Sequence, residues 1–161
     1  MKILVLSDSH ASRHFMRRCV DHVQPDAVVH LGDYFSDGQD LAEEYPNIPF
    51  YAVPGNCDRG RGWITESEIK LQIIGGVRFM LTHGHLHQVK MTLTRLMADA
   101  RGMGAQAVLF GHTHEAYCVQ EDDGLWVLNP GSCGYYGGTV ALVETAGGKI
   151  KECRILREVD L

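Results

Sequence analysis

What this chain of 161 residues lacks narrows the field first. It has no Cys-x-x-Cys pair, and its five cysteines (Cys19, Cys57, Cys118, Cys133 and Cys153) are odd in number and scattered. That pattern argues against a zinc knuckle or a thioredoxin-type dithiol and fits reduced thiols in a cytoplasmic protein. It has no long hydrophobic run. The opening "MKILVLSDSH" turns polar after a few apolar residues, too soon for a signal-peptide core or a membrane span, so it reads as a buried strand and no membrane partner is expected. Positive charge is not in excess either. At a net charge of −5, an extended nucleic-acid surface is not expected, whereas a small phosphorylated ligand stays compatible because a bound metal reverses the local potential. Linkers, internal repeats and low-complexity segments are also missing. The hydrophobic fraction of 45% and charged fraction of 22% are ordinary for a globular protein, and residues 1–161 are expected to form a single domain with its own core.

Histidine is what the chain has in plenty. Three of its nine histidines crowd into "MLTHGHLHQV" as His83, His85 and His87. Their alternation invites one three-histidine site, but candidate ligands elsewhere point to a site assembled from several loops.

Lys2 to Ser7 is apolar at its centre, as a strand covered on both faces is. Phe15, Met16, Cys19, Val20 and Val23 recur at helical spacing, which predicts a helix from a Ser12 cap to about Val23, stopped by Pro25. "AVVHLGD" predicts a second buried strand, the acidic stretch from Gly38 to Tyr45 a second helix, and "FYAVPGN" a third strand ending at Pro54-Gly55. A β-α-β-α-β order implies a parallel sheet with right-handed crossovers. From Glu68 the pattern changes. "IKLQIIGGVRFMLTHG" reads as two strands about a Gly75-Gly76 turn. A helix follows from about Val89 to Met103, with Leu93, Leu96 and Met97 on its core face. "QAVLFGHTH" is another buried strand, and "AYCVQ", "LWVLNPGS", "GTVALVET" and "KIKECRIL" are short strands between glycine-rich turns. The expected fold class is α/β (α+β), an α/β first half and a β-rich second half giving two stacked sheets with helices outside.

Candidate ligands fall where the predicted strands end. Asp8 and His10 follow the first strand, Asp33 the second and Asn56 the third; His83 follows "VRFMLT", and His112 and His114 follow "VLFG". Each has a structural alternative. Asp8 or Asp33 could cap a helix or shape a turn, Asn56 is a common turn residue after Pro-Gly, and His112 and His114 could decorate a surface turn. Their shared placement favours a site. Mixed carboxylate, imidazole and amide groups suit Mn²⁺, Fe²⁺, Zn²⁺ or Ni²⁺. Seven such groups are too many for one ordinary ion and suit two ions sharing a carboxylate. Gly32, Gly55, Gly84 and Gly111 stand beside them, where the backbone must turn tightly. His30, inside an apolar strand, reads as a satisfied core histidine, and His14, His22 and His87 as solvent-facing.

The ordered series Asp8-x-His10, Gly32-Asp33, Gly55-Asn56, His83 and Gly111-His112-x-His114 resembles the calcineurin-like metallophosphoesterase superfamily. With "GNCD", "LTHGH", "FGHTH" and "NPGS", the chain is most similar to the small YfcE-like phosphodiesterases of bacteria and archaea, from Asp8 to the terminal strands. The resemblance implies a four-layer αββα sandwich, two mixed β-sheets face to face flanked by helices. It implies that Asp8, His10 and His114 bind one divalent ion and that Asn56, His83 and His112 bind a second, with Asp33 bridging. Manganese is the first choice; nickel, iron and zinc are the alternatives. His85 and His87 are then surplus, near the rim. The implied reaction is hydrolysis of a small phosphodiester by a hydroxide shared between ions roughly 3.5–4 Å apart, with Asp33, Asn56 and His83 at its centre. Relatives of this kind form dimers or higher oligomers, so a dimer or tetramer is an open expectation.

One position departs from the wider superfamily. Many members carry a histidine after the asparagine, and here Cys57 stands there, as in the smaller family. A neutral thiol is a poor general acid, which predicts a preference for diesters with good leaving groups over alkyl monoesters. Cys57 also reads as a packed small residue. Arg59 and Arg61 in "DRGRG" either clamp a substrate phosphate or lie in a solvated loop. Gly131-Ser132 in "NPGS" reads as a structural turn beside the site. Two other functions compete: a protein-interaction scaffold of this fold, resembling the retromer subunit, and a phosphomonoesterase. A complete set of seven ligands favours catalysis over the scaffold. "HGHLH" matches the H-x-H-x-D-H of metallo-β-lactamase-fold hydrolases only in part, since His87 occupies the aspartate position.

Overall fold

The computed structural model describes residues 1–135 and 137–161. The first half follows the expected alternation: β1 (Lys2–Leu6), α1 (Arg13–Val23), β2 (Ala27–His30), α2 (Phe35–Glu44) and β3 (Phe50–Ala52). There follow β4 (Ile69–Ile74), β5 (Val77–Thr82), α3 (Thr94–Gly102), β6 (Ala107–Leu109), β7 (Tyr117–Gln120), β8 (Trp126–Asn129), β9 (Thr139–Ala146) and β10 (Lys149–Arg157). They form two five-stranded sheets, ordered β10-β9-β1-β2-β3 and β4-β5-β6-β8-β7. Both are mixed: β1, β2 and β3 run parallel, as do β5, β6 and β8, while β9, β10, β4 and β7 pair antiparallel to their neighbours.

Side-chain alternation builds the layers. Ile3, Val5, Ala27 and Val29 of one sheet meet Phe79, Leu81, Ala107 and Leu109 of the other in a buried core between the sheets. Their neighbours Leu4, Leu6 and Val28 turn the other way, onto Phe15, Met16, Cys19, Val20 and Val23 of α1 and Leu41 of α2. On the second sheet Met80, Val108 and Val127 turn outward onto Leu96 and Ala100 of α3. Strands covered on both faces carry apolar residues at nearly every position, which is why they read as continuous runs rather than alternating ones. The result is the expected αββα sandwich.

Four local expectations need correction. The two sheets do not divide the chain into halves. β9 returns to the first sheet and pairs Val143 with Ile3 and Leu142 with Leu4, because its run Val140–Val143 is buried on both faces and covers the edge that β1 would otherwise expose. Ser12 precedes α1 but its side chain forms no capping hydrogen bond. α2 begins at Phe35 rather than Gly38. Gly38 lies inside it, where a Cβ would press to 3.1 Å on the His30 ring. α3 begins at Thr94 rather than Val89. A short 3-10 turn, His85–His87, and the left-handed Gln88 (φ 53°) reverse the chain first, and Val89 is buried separately in the core of that layer. Among the described residues, no helix is long and apolar enough to cross a membrane.

Candidate metal centre

The seven candidate ligands all lie just past strand ends: Asp8 and His10 after β1, Asp33 after β2, Asn56 after β3, His83 after β5, His112 and His114 after β6. Hydrogen bonds tie these loops together. The Asp8 backbone N–H donates to the Gly32 carbonyl at 3.0 Å, and Gly111 N–H to the His83 carbonyl at 2.9 Å. The Asp58 carboxylate, buried, accepts from Phe35 N–H at 2.9 Å and Gly55 N–H at 2.8 Å, joining the second and third loops. Asp37 accepts from Ala11 N–H at 2.8 Å. Ser132 Oγ donates to the Asp8 carbonyl at 2.8 Å, so the "NPGS" turn is structural and abuts the site, as expected. Two glycines are set by close approach: a Cβ on Gly55 would overlap Asp33 Oδ1, and one on Gly111 would overlap Ser7 Oγ and lie 2.7 Å from Asp8 Oδ2.

The candidate ligands themselves sit in unusual backbone. Asp8 (φ 50°), His10 (43°), Asp33 (56°), His112 (70°) and His114 (62°) are all left-handed. Asp and His tolerate that region better than most residues, yet single residues there still cost energy, and such strain clusters at functional sites.

Two groups of donors converge. Ligand atoms of Asp8, His10 and His114 lie within 4.8 Å of one another, and so do those of Asp8, Asp33 and His83. Asp8, fully buried, is the member common to both. His114 Nε2 lies 3.1 Å from Asp8 Oδ1, and His83 Nε2 lies 3.4 Å from Asp33 Oδ2 and 3.8 Å from Asp8 Oδ1. The opposite edge of His83 fixes its tautomer. Nδ1 is 2.7 Å from the Leu31 carbonyl, which only accepts, so Nδ1 carries a proton and Nε2 is the atom turned toward two carboxylates. His83 Nε2 and His10 Nε2 are both buried without a hydrogen-bond partner. Buried polar atoms are rarely left so. A divalent cation between imidazole lone pairs and carboxylate oxygens satisfies them, and the donor set fits such an ion.

Electrostatics agree with this arrangement. Burial alone would raise the Asp33 carboxyl, but the neighbouring His83 and the Cys57 N–H (2.9 Å to Oδ1) outweigh it and hold the group well below the usual carboxylate range. Burial works against a charged His83, and Asp33 and Asp8 overcome it, raising that imidazole above its ordinary value. His112 is pushed down to about 4, first by burial and then by the charges of His83 and Lys90, so at neutral pH its ring offers a lone pair. Burial, then Asp33, pushes the Cys57 thiol up to about 11.

The remaining candidates fall into place around this centre. The His112 ring packs against His83 with centroids 5.0 Å apart, outside both close groups. Asn56 and Cys57 are exposed at the mouth, the Cys57 N–H bound to Asp33 as above. Arg59 is exposed and pairs with Glu68 at 3.4 Å. His85 and His87 correct the expected placement at the rim. The 3-10 turn folds both inward: His85 lies 5.5 Å from the His83 ring and 3.1 Å from Glu68, and His87, 2% exposed, binds Asp99 of α3 at 2.9 Å. His14 and His22 are exposed as expected. His30 is a satisfied core histidine: Gly32 N–H donates to its Nδ1 at 3.2 Å, leaving Nε2–H for Ser9 Oγ at 3.1 Å. Tyr34 and Tyr135 flank the His10 ring at 4.9 and 4.8 Å, and Tyr135 also stacks on His114. The tyrosines, Asp37 and Asp58 are site residues that sequence reasoning missed. Asp58 alone carried a usable signal, an acid three residues after Gly55 in "GNCD".

Two face-to-face mixed sheets with a carboxylate–histidine centre across their strand ends define a metallophosphoesterase fold and site. Residues 1–148 match the calcineurin-like phosphoesterase superfamily domain, and the chain belongs to that superfamily. The phosphodiesterase MJ0936 of Methanocaldococcus jannaschii is 31% identical, over 94% of this chain and 98% of its own length. A predicted phosphoesterase of Streptococcus pneumoniae superposes with a TM-score of 0.79 at 26% identity, covering 98% of this chain and 90% of its own. Wild-type Vps29 of Entamoeba histolytica complexed with zinc shares the fold, with a TM-score of 0.73 at 20% identity over 98% of this chain and 99% of its own.

Proposed function

We propose that residues 1–161 act as one catalytic domain, a metal-dependent phosphodiesterase that holds two divalent ions, manganese first among them, and hydrolyses a small phosphodiester in the cytoplasm. The observation that carries this reading is the pair of buried, unpartnered imidazole nitrogens, His10 Nε2 and His83 Nε2, set beside the carboxylates of Asp8 and Asp33. Asp8, His10 and His114 would hold one ion and Asn56, His83 and His112 the other, with Asp33 shared as the resemblance implies and Asp8, the carboxylate common to both donor groups, beside it. When bound, such ions lower the pKa of water and neutralise charge building on phosphate oxygens.

The chain's own residues do the rest. The Leu31 carbonyl keeps His83 Nε2 forward, Asp33 stays ionised throughout the neutral range, and His112 stays neutral. The Asn56 amide, exposed at the mouth, can donate to a phosphate oxygen, and donors fixed in advance are the main source of rate in such sites. Cys57, with its thiol raised to about 11, is a weak proton donor to a leaving oxygen. That favours diesters whose leaving group departs without help.

The test is direct. Chain stripped with EDTA and reloaded separately with Mn²⁺, Ni²⁺, Fe²⁺ or Zn²⁺ is assayed on an aryl phosphodiester while bound metal is counted. Two equivalents of metal with turnover support the reading. Full metal occupancy without turnover on any phosphoester favours an interaction scaffold instead, for which the exposed Leu71 and Ile73 on edge strand β4 would be the contact surface.

A further inference from the structure

β7 is the outermost strand of the second sheet and β10 that of the first. At this side of the sandwich the two edges lean together, with Cα atoms within 8 Å, closer than the ~10 Å usual between stacked sheets. Cys118 of β7 and Cys153 of β10 face each other across that gap. Both are half-buried, both pack on the core between the sheets, and each thiol is near enough to perturb the other. The other cysteines are placed differently. Cys19 and Cys133 are buried under α1, where burial pushes their thiols well up, Cys19 to about 12. Cys57 stands alone at the metal centre, exposed.

We propose that Cys118 and Cys153 are a modification site: a reversible disulfide that fastens the two sheets at their meeting edge, made by exchange with a low-molecular-weight disulfide such as oxidised glutathione. The Cys118 thiolate attacks one sulfur of the small disulfide and releases one small thiol, leaving a mixed disulfide. Cys153 loses its proton to solvent and attacks the Cys118 sulfur, expelling the second small thiol. Two protein thiols and one small disulfide become one protein disulfide and two small thiols, so atoms and electrons balance. The same products follow if Cys153 attacks first. Bond formation requires the sulfurs to close to about 2.05 Å, a movement that two edge strands, each hydrogen-bonded on one side only, can accommodate.

The experiment uses the full chain carrying Cys57→Ser, which removes the exposed competitor, equilibrated with reduced and oxidised glutathione in varied ratio. The expected result is loss of two free thiols, a tryptic or peptic peptide joining Cys118 to Cys153, and a thermal midpoint raised by roughly 5–15 °C for a closed loop of this length, all reversed by dithiothreitol. Cys118→Ser and Cys153→Ser should each abolish the linked peptide. All four thiols remaining free under the most oxidising ratio, or Cys118 and Cys153 recovered only as separate glutathione adducts, would overturn the proposal. Because the linked peptide is read on the chain with both cysteines intact, the result does not depend on whether the serine variants fold. It is also independent of whether the metal centre hydrolyses diesters.

Discussion

The Nδ1–H of His83 donates to the carbonyl oxygen of Leu31 at 2.7 Å, so a strand of one sheet aims a histidine carried by the other. The aimed nitrogen is the one that lies between Asp8 and Asp33. Replacing His83 with glutamine should reduce diester turnover by at least about 100-fold and lower bound metal. Metal content by atomic emission, read alongside kcat, checks both. A variant that keeps full occupancy and rate would remove His83 from the site.

Asp58 holds two loops at once through Phe35 N–H and Gly55 N–H. Truncation in Asp58→Ala strands both buried donors and should cost about 2–4 kcal/mol of stability. Urea unfolding of the metal-free chain measures it. A companion loss of turnover is expected because Asn56 and Cys57 lie between Gly55 and Asp58, in the turn that this carboxylate closes.

Gly55→Ala would drive a methyl into Asp33 Oδ1, whereas a Cβ on Gly62 meets nothing within 4 Å. The first substitution should weaken metal binding and cut turnover by about tenfold or more, with the second near wild type. Calorimetric titration with Mn²⁺ distinguishes them, and equal affinities in the two variants would contradict the described contact.

Cys57→His supplies a proton donor where the thiol is held near 11. Activity on an alkyl monoester should rise by about 10²-fold while aryl diester turnover changes little. Equal wild-type rates on the two substrates would show that leaving-group protonation is not what limits the enzyme.

Acid should destabilise the metal-free chain through its buried histidines. Burial lowers His30, His85 and His112 below the ordinary histidine value of 6.5. For each, the unfolded state binds more protons below about pH 6.5, so stability falls with pH. His83, raised, acts oppositely: its contribution is present below that value and is lost as pH rises through its higher folded value. Three groups against one predict a falling thermal midpoint from about pH 7 to about pH 5, with a shallower fall in His30→Asn. A flat or rising profile would reverse the assignment.

Motif order identified the loops that meet at the strand ends, and strand composition identified the layers, because both are local properties. The partners that the loops find are not local. Nothing near Asp33 announces that Cys57 N–H will bind it, and nothing near His87 announces Asp99. The alternation of "HGHLH" invites one three-histidine site on a shared face of an extended segment, but Gly84, at φ 106°, starts a 3-10 turn that brings His87 inside. The C-terminal hairpin was legible as two strands, yet which sheet they would join depends on how much apolar surface β1 leaves uncovered, a tertiary quantity.

The left-handed backbone of Asp8, His10, Asp33, His112 and His114 bears on how this enzyme could be improved. Glycine at any of them would relax the main chain and delete a donor in the same change. A selection for heat resistance alone should therefore drift toward inert sequences at these five sites, and thermostable active variants must be sought in residues well away from them.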